Sequence, residues 1–155
     1  TSDGRIDLAP DVFTNDLPRL KRKLSAETPE LVMIGRREQR SNNSWMHNVP
    51  RLTKGKLRCT LRVHPEDARR LGLQDEGSAD LVSRVGRQRV TVEVSDELMP
   101  GVVSLPHGYG HSGDGQVVAT ALGGVNANAL TDPEFIDQLT GNAAFNGVPV
   151  ELRPL

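Results

Sequence analysis

Three polar loops hold the residues of this chain whose types and spacing could do chemistry. The first, GRREQRSNNSWMHN, runs from Gly35 and sets Arg36, Arg37 and Arg40 just after an apolar run, followed by Ser41, Asn43 and His47. Arginine forks grip phosphate oxygens in pairs, and Ser and Asn add neutral hydrogen bonds. That set suits a diphosphate or the edge of a heteroaromatic ring; a solvated loop is the plain alternative. The second loop, LPHGYGHSGDG, contains His107, Gly108 and Tyr109. Its glycines permit positive φ or close approach of backbone to a ligand, and Tyr109 could lie against a ring. His107 and His111 stand four apart, a zinc spacing only on a helix, which the glycines and Pro106 oppose; a glycine-rich turn with incidental histidines is the alternative. The third region, GGVNANALTD with TGNAAFNG after it, offers Asn126 and Asn128 near a helix start and Phe145 and Asn146 before the last apolar run. Helix starts present free N–H groups, whereas Asn-Gly by itself is a turn signal.

Other chemistries are excluded. The single Cys59 allows no internal disulfide and no CxxC metal or iron–sulfur site, and on an apolar strand face it reads as a buried structural thiol. No phosphate-binding GxxxxGK[ST] run and no supportable hydrolytic triad is present. A net charge of −1 gives no basic face for nucleic acid. No run is long and apolar enough to span a bilayer, and the polar first residues show no secretory signal, so a cytoplasmic location is expected.

The elements that must position these loops are short. With 155 residues and 3% aromatics, one domain with a Val, Leu, Ile and Ala core is expected, and many Gly and Pro favour a β-rich fold. Phe13, Leu17, Leu20 and Leu24 stand at helical spacing across Asp11 to Leu24, with Pro18 set to break or kink the helix. Arg19, Lys21, Arg22 and Lys23 read as its solvated face. Residues 1–30 form a lead-in and linker, and the compact domain spans 31–155. Strands are expected at Leu31 to Gly35, at Leu57, Cys59, Leu61 and Val63, at Ala79 to Ser83, at Val90, Val92 and Val94, at Val102 to Leu105, at Val117 to Leu122, and at Val148, Val150 and Leu152. Pro65-Glu66-Asp67 opens a helix that Gly72 closes, and Asp132-Pro133-Glu134 caps another carrying Phe135, Ile136 and Leu139. Residues 35–55 have no period, and residues 36–55 are expected to be poorly ordered without a ligand. Six or seven short strands with small helices suggest a closed barrel.

In this order, the IGRR strand end, SWMHN, RVHPEDARRLGLQDEG, PHGYGH, VNANALTD and FNGVPVEL resemble the C-terminal domain of the dimethyl-sulfoxide-reductase family of molybdopterin oxidoreductases. The resemblance looks closest to formate-dehydrogenase-like members and covers about residues 31–155; GRIDLAP resembles the connection leading into that domain.

The resemblance implies a mainly β fold, a double-psi β-barrel. It implies contacts to molybdopterin guanine dinucleotide, usually two copies around one molybdenum or tungsten, with Arg36, Arg37, Arg40, Ser41, Asn43, His47, His107, Gly108, Tyr109, Asn126, Asn128, Phe145 and Asn146 as the binding residues. Tyr109 departs from the tryptophan often found there, and Asn146 stands where some members carry lysine. The metal ligand and any iron–sulfur cluster belong to other domains, so upstream parts of the same polypeptide are the expected partners. The chain alone is expected to be monomeric and inactive. Two rivals share the barrel shape: an adaptor or peptide-binding module, and a small self-processing decarboxylase cleaving at Gly77-Ser78.

Overall fold

A computed structural model describes residues 3–112 and 115–155. Two short helices come first, α1 (Asp11–Thr14) and α2 (Leu17–Leu24). Pro18 lies in the first turn of α2, where a missing N–H costs nothing; the helical period breaks ahead of it, at Asn15 and Asp16. Then follow β1 (Val32–Arg36), α3 (Pro50–Thr53), β2 (Thr60–Val63), α4 (Pro65–Leu71), β3 (Ser78–Val82), β4 (Arg87–Val94), β5 (Val102–Pro106), α5 (Val117–Ala121), a 3-10 turn (Ala127–Leu130), β6 (Val148–Pro149) and β7 (Glu151–Pro154).

The strands form one curled mixed sheet in the order β6-β1-β5-β2-β4-β3-β7. β1 runs parallel to β5, and β2 parallel to β4; the remaining neighbours are antiparallel. The two ends of this order, β6 and β7, are separated in the chain by Val150 alone. One segment therefore holds both ends of the sheet, pairing with β1 on one side and β3 on the other.

Period-two alternation sends one face of each strand inward. Met33, Leu61, Val63, Ala79, Leu81, Val90, Val92, Val103, Leu105, Val148, Val150 and Leu152 fill the interior. Each such Val or Leu contributes roughly 1.5–3 kcal/mol relative to exposure. Cys59 is buried with them, and Val94 packs against the cluster. Leu57, expected on the same face, is exposed, because β2 begins only at Thr60. Helix α4 is held as its sequence implies: Glu66 and Asp67 sit at its positive end and Gly72 closes it at φ 69°. Its N-cap is His64, whose Nδ1 accepts from the Glu66 N–H at 3.2 Å. Asp67 accepts from the Gly101 N–H at 2.7 Å, tying the helix to the turn before β5.

Three further expectations fail. The expected strand at Val117 to Leu122 is helix α5. Its burial follows the helical period, with Ala119 buried while Val117 and Thr120 are exposed, and the short alanines between Gln116 and Gly123 suit a helix better than a pleat. The expected helix after Asp132 is an irregular excursion. Asp132 turns the chain by accepting from the Glu134 N–H at 2.9 Å, and Ile136 bridges Ala143. Phe135, Ile136 and Leu139 stay largely exposed, so a helix there would have had no face to bury. The expected last strand is two, broken where the chain passes from one end of the sheet to the other. The long stretch after β1 is not featureless: residues 39–48 make consecutive turns and lead into α3.

Candidate functional site

The register carries the polar loops to one end of the sheet. β1 and β5 run side by side and finish together, Arg36 opposite Pro106. The first two loops therefore leave from adjacent points, and the His107 N–H still reaches the Arg36 carbonyl at 3.0 Å. β2 is antiparallel to β5, so Cys59, just before it, lies at the same end. The Val125 N–H reaches the Cys59 sulfur at 3.4 Å, which anchors the third loop there. β6 enters antiparallel to β1, and the Gly147 N–H bonds to the Met33 carbonyl at 2.9 Å. The FNG turn therefore arrives at the end of β1.

Glycines permit the close approach. A Cβ on Gly108 would run into the Asn43 backbone, and one on Gly110 would meet the Val125 and Asn126 backbone; both adopt positive φ, +88° and +79°. A Cβ on Gly35 would occupy the space of the His107 ring. Asn42 and Asn43 themselves take positive φ, a conformation asparagine tolerates. Gly113 and Asp114, the remainder of the second loop, lie outside the described residues.

The site residues fall into two groups. Arg36, Ser41, His47, Tyr109 and Asn146 are engaged within the protein. The Arg36 guanidinium turns inward, donating to the carbonyls of Ser104 and Thr60 at 3.0 Å each, while burial lowers its pKa. Its Nε is buried without a hydrogen bond and lies 3.8 Å from Glu38 Oε1. The His47 imidazole is fully buried, tilted against the Tyr109 ring with centroids 4.5 Å apart, and its Nδ1 lies 2.7 Å from His111 Nε2. Burial, then the neighbouring His111, holds its pKa below the usual histidine value. Tyr109 is buried beside Ser41, and burial raises its phenol. Asn146 accepts from the Gly35 N–H at 2.8 Å.

Arg37, Arg40, Asn43, Asn126, Asn128 and Phe145 are exposed around this end. Arg37 bonds to the Asn43 side chain. Asn126 caps the 3-10 turn by accepting from the Asn128 N–H at 3.0 Å, leaving the Asn128 amide exposed. His107 is half-buried, and burial followed by the Arg37 charge lowers its pKa. The sequence did not mark Gly35 or His111 as binding residues. Gly35 gave no sign, since its closeness to His107 comes from strand register. His111 was visible only as half of a spacing unsuited to zinc. Trp45, the only tryptophan, projects from the first loop at 78% exposure. Among the described residues no cluster of three or more His, Cys, Asp or Glu could hold a metal ion, and no helix is long and apolar enough to cross a membrane.

A curled sheet that gathers several polar, glycine-opened loops at one end defines a domain built to hold an extended polar ligand. The chain belongs to the family described as "Molydopterin dinucleotide binding domain", which matches residues 31–149. It is 30% identical over 127 residues to the molybdopterin-containing subunit of the arsenate respiratory reductase of Chrysiogenes arsenatis, covering 74% of this chain and 15% of that protein. It is 27% identical over 124 residues to a tetrathionate reductase subunit of Salmonella typhimurium, covering 68% of this chain and 12% of that protein. Acetylene hydratase from Pelobacter acetylenicus shares the fold, with a TM-score of 0.69, 18% identity, 97% of this chain covered and 21% of that one. The chain is thus a molybdopterin dinucleotide-binding domain of the dimethyl-sulfoxide-reductase family of molybdopterin oxidoreductases, and it spans about a seventh of the curated relatives' length.

Proposed function

We propose that the loop end closes over molybdopterin guanine dinucleotide, in the bis form around molybdenum or tungsten, within a larger two-electron oxidoreductase. The observation that carries this reading is the convergence of the loops, with unspent polar groups on their outer side. The residues fit such a group. Arg37 and Arg40 are exposed and can meet diphosphate oxygens, Asn43, Asn126 and Asn128 can pair with ring edges, and Trp45 and Phe145 offer flat faces. The Nε of Arg36 is buried without a hydrogen-bond partner, the nearest carboxylate being Glu38 at 3.8 Å, and can still donate. When bound, the cofactor supplies the redox chemistry; the protein binds, orients and sets the electrostatics. Arg36, Ser41, His47, Tyr109 and Asn146 serve by fixing the loops that carry the others.

The parallel pairs β1–β5 and β2–β4, joined through antiparallel β5–β2 and held at both ends by one segment, support a double-psi barrel. Residues 1–30 serve as the lead-in from upstream domains, the expected partners. The curated relatives act, by their names, on arsenate and tetrathionate. That favours an oxyanion reductase over the formate-dehydrogenase-like subtype.

Guanosine diphosphate is a direct probe of the site. Titrated into the 155-residue chain, it should move amide resonances in residues 36–47, 107–111, 126–128 and 145–146. Shifts confined to other faces would refute the assignment.

A further inference from the structure

His47 and His111 face each other across 2.7 Å, Nδ1 to Nε2. Such a bond holds one proton between two nitrogens: one ring donates and the other accepts. His47 is 1% exposed, and its other nitrogen, Nε2, is buried without a partner. His47 also lines a small cavity, about 10 Å³, with Arg40, Ser41, Thr53, Arg58 and Tyr109 among its walls. That space admits about one water molecule, and its polar walls suit one. His111 is only half-buried and so lies nearer solvent than His47.

We propose that His47 and His111 form a proton relay between solvent and the buried loop junction. Outward, a proton joins His47 Nε2 from the cavity side. The proton on His47 Nδ1 crosses the bond to His111 Nε2, and His111 releases its Nδ1 proton to solvent. Each ring gains one N–H bond and loses one, so no charge remains. Inward transfer reverses these steps. The groups facing His47 favour transit over storage. Arg40, on its own loop, and Lys56 and Arg58, across the cavity, are cations; Tyr109 supplies a neutral ring and hydroxyl; the α3 residues that line the cavity, Leu52 and Thr53, and Leu122 at the end of α5 carry no charge, while Arg51 of α3 adds a further cation. An imidazolium lodged there would be desolvated and repelled.

The relay's use rests on the reading of these loops as the cofactor face, yet its test needs no cofactor. In the 155-residue chain labelled with nitrogen-15 at histidine, His47 Nδ1 and His111 Nε2 should both show scalar coupling to one shared proton. In His111→Gln the hydrogen bond can persist but the relay cannot, so solvent exchange of the His47 ring proton should slow by about tenfold or more. A His47 ring proton with no coupling to His111 Nε2 in the unsubstituted chain would overturn the proposal, and so would unchanged exchange in a folded His111→Gln variant. If that variant does not fold, the coupling measurement alone decides. Failure here leaves the guanosine diphosphate result standing, and the reverse holds too.

Discussion

Asn146 accepts a hydrogen bond from the backbone N–H of Gly35 at 2.8 Å, although 111 positions separate them in the chain. The contact pins the last loop to the end of β1, beside the His107 ring that fills the space a Gly35 side chain would need. The turn reading and the binding reading of Asn146 thus meet in one atom: its oxygen is spent on the fold.

The first prediction follows. Asn146→Ala leaves the Gly35 N–H unpaired and should lower stability by about 1 kcal/mol. Asn146→Lys supplies no acceptor and should cost as much. Urea denaturation of both variants checks this; a Lys variant as stable as the parent would show that the contact contributes nothing.

Gly108 gives a sharper outcome. At φ +88°, with the Asn43 backbone against it, Gly108→Ala combines backbone strain with a collision that no side-chain rotation relieves. The expected loss is about 2–4 kcal/mol. Gly115 has a similar φ, +82°, but none of the described residues lies within 4 Å of an added Cβ, so Gly115→Ala should cost about 1 kcal/mol from strain alone. Melting curves for the pair separate collision from strain.

Local patterns were legible in the sequence because their causes are local. The alternation at Leu61 and Val63 and at Val90 and Val92 set the inward faces, and Pro65, Glu66, Asp67 and Gly72 marked both ends of α4. The motif order gave the family. Where long-range contacts decide, the signal was missing. The valines opening Val117 to Leu122 suggest a strand, yet the segment is helix α5, and its place depends on Ala119 docking against the first loop, where its N–H meets Asn48 at 3.1 Å. The break at Val150 exists because two distant strands claim opposite ends of one segment. The same limit applies to the site. Composition marks Arg36 as a phosphate ligand, yet the carbonyls of Ser104 and Thr60 come within its reach only through the β1–β5–β2 register.

Arg36 and Asn128 should therefore separate. Arg36→Ala leaves buried carbonyls without their donor and should destabilise the chain by about 2–3 kcal/mol. Asn128 has an exposed side chain that makes no hydrogen bond within the described residues, so Asn128→Ala should shift stability by less than about 0.5 kcal/mol. In the full-length enzyme, molybdenum per folded protein should fall in the Asn128 variant while its melting temperature holds. Full metal content there would remove Asn128 from the binding set.

The last prediction is pH dependence. Burial lowers the pKa of both His47 and His107 from the ordinary value of 6.5. Above that value both states of the chain carry neutral rings, and stability does not depend on these groups. As pH falls below about 6.5 the unfolded chain binds protons that the folded chain refuses, so the unfolded state gains. Stability should therefore fall with falling pH until the folded rings protonate as well, by at most about 1.4 kcal/mol per pH unit for each imidazole. The carboxylates of Asp16, Asp132 and Asp137 are held below 3.8 by their hydrogen bonds to Arg19, Arg84 and Thr140. They act in the same direction, but only at much lower pH, which leaves the interval between about 5 and 6.5 to the histidines. Urea denaturation across that interval should show the decline, and it should be shallower in a folded His47→Gln variant. A flat profile in the parent chain would mean that the buried imidazoles accept protons as readily folded as unfolded, which the burial of His47 argues against.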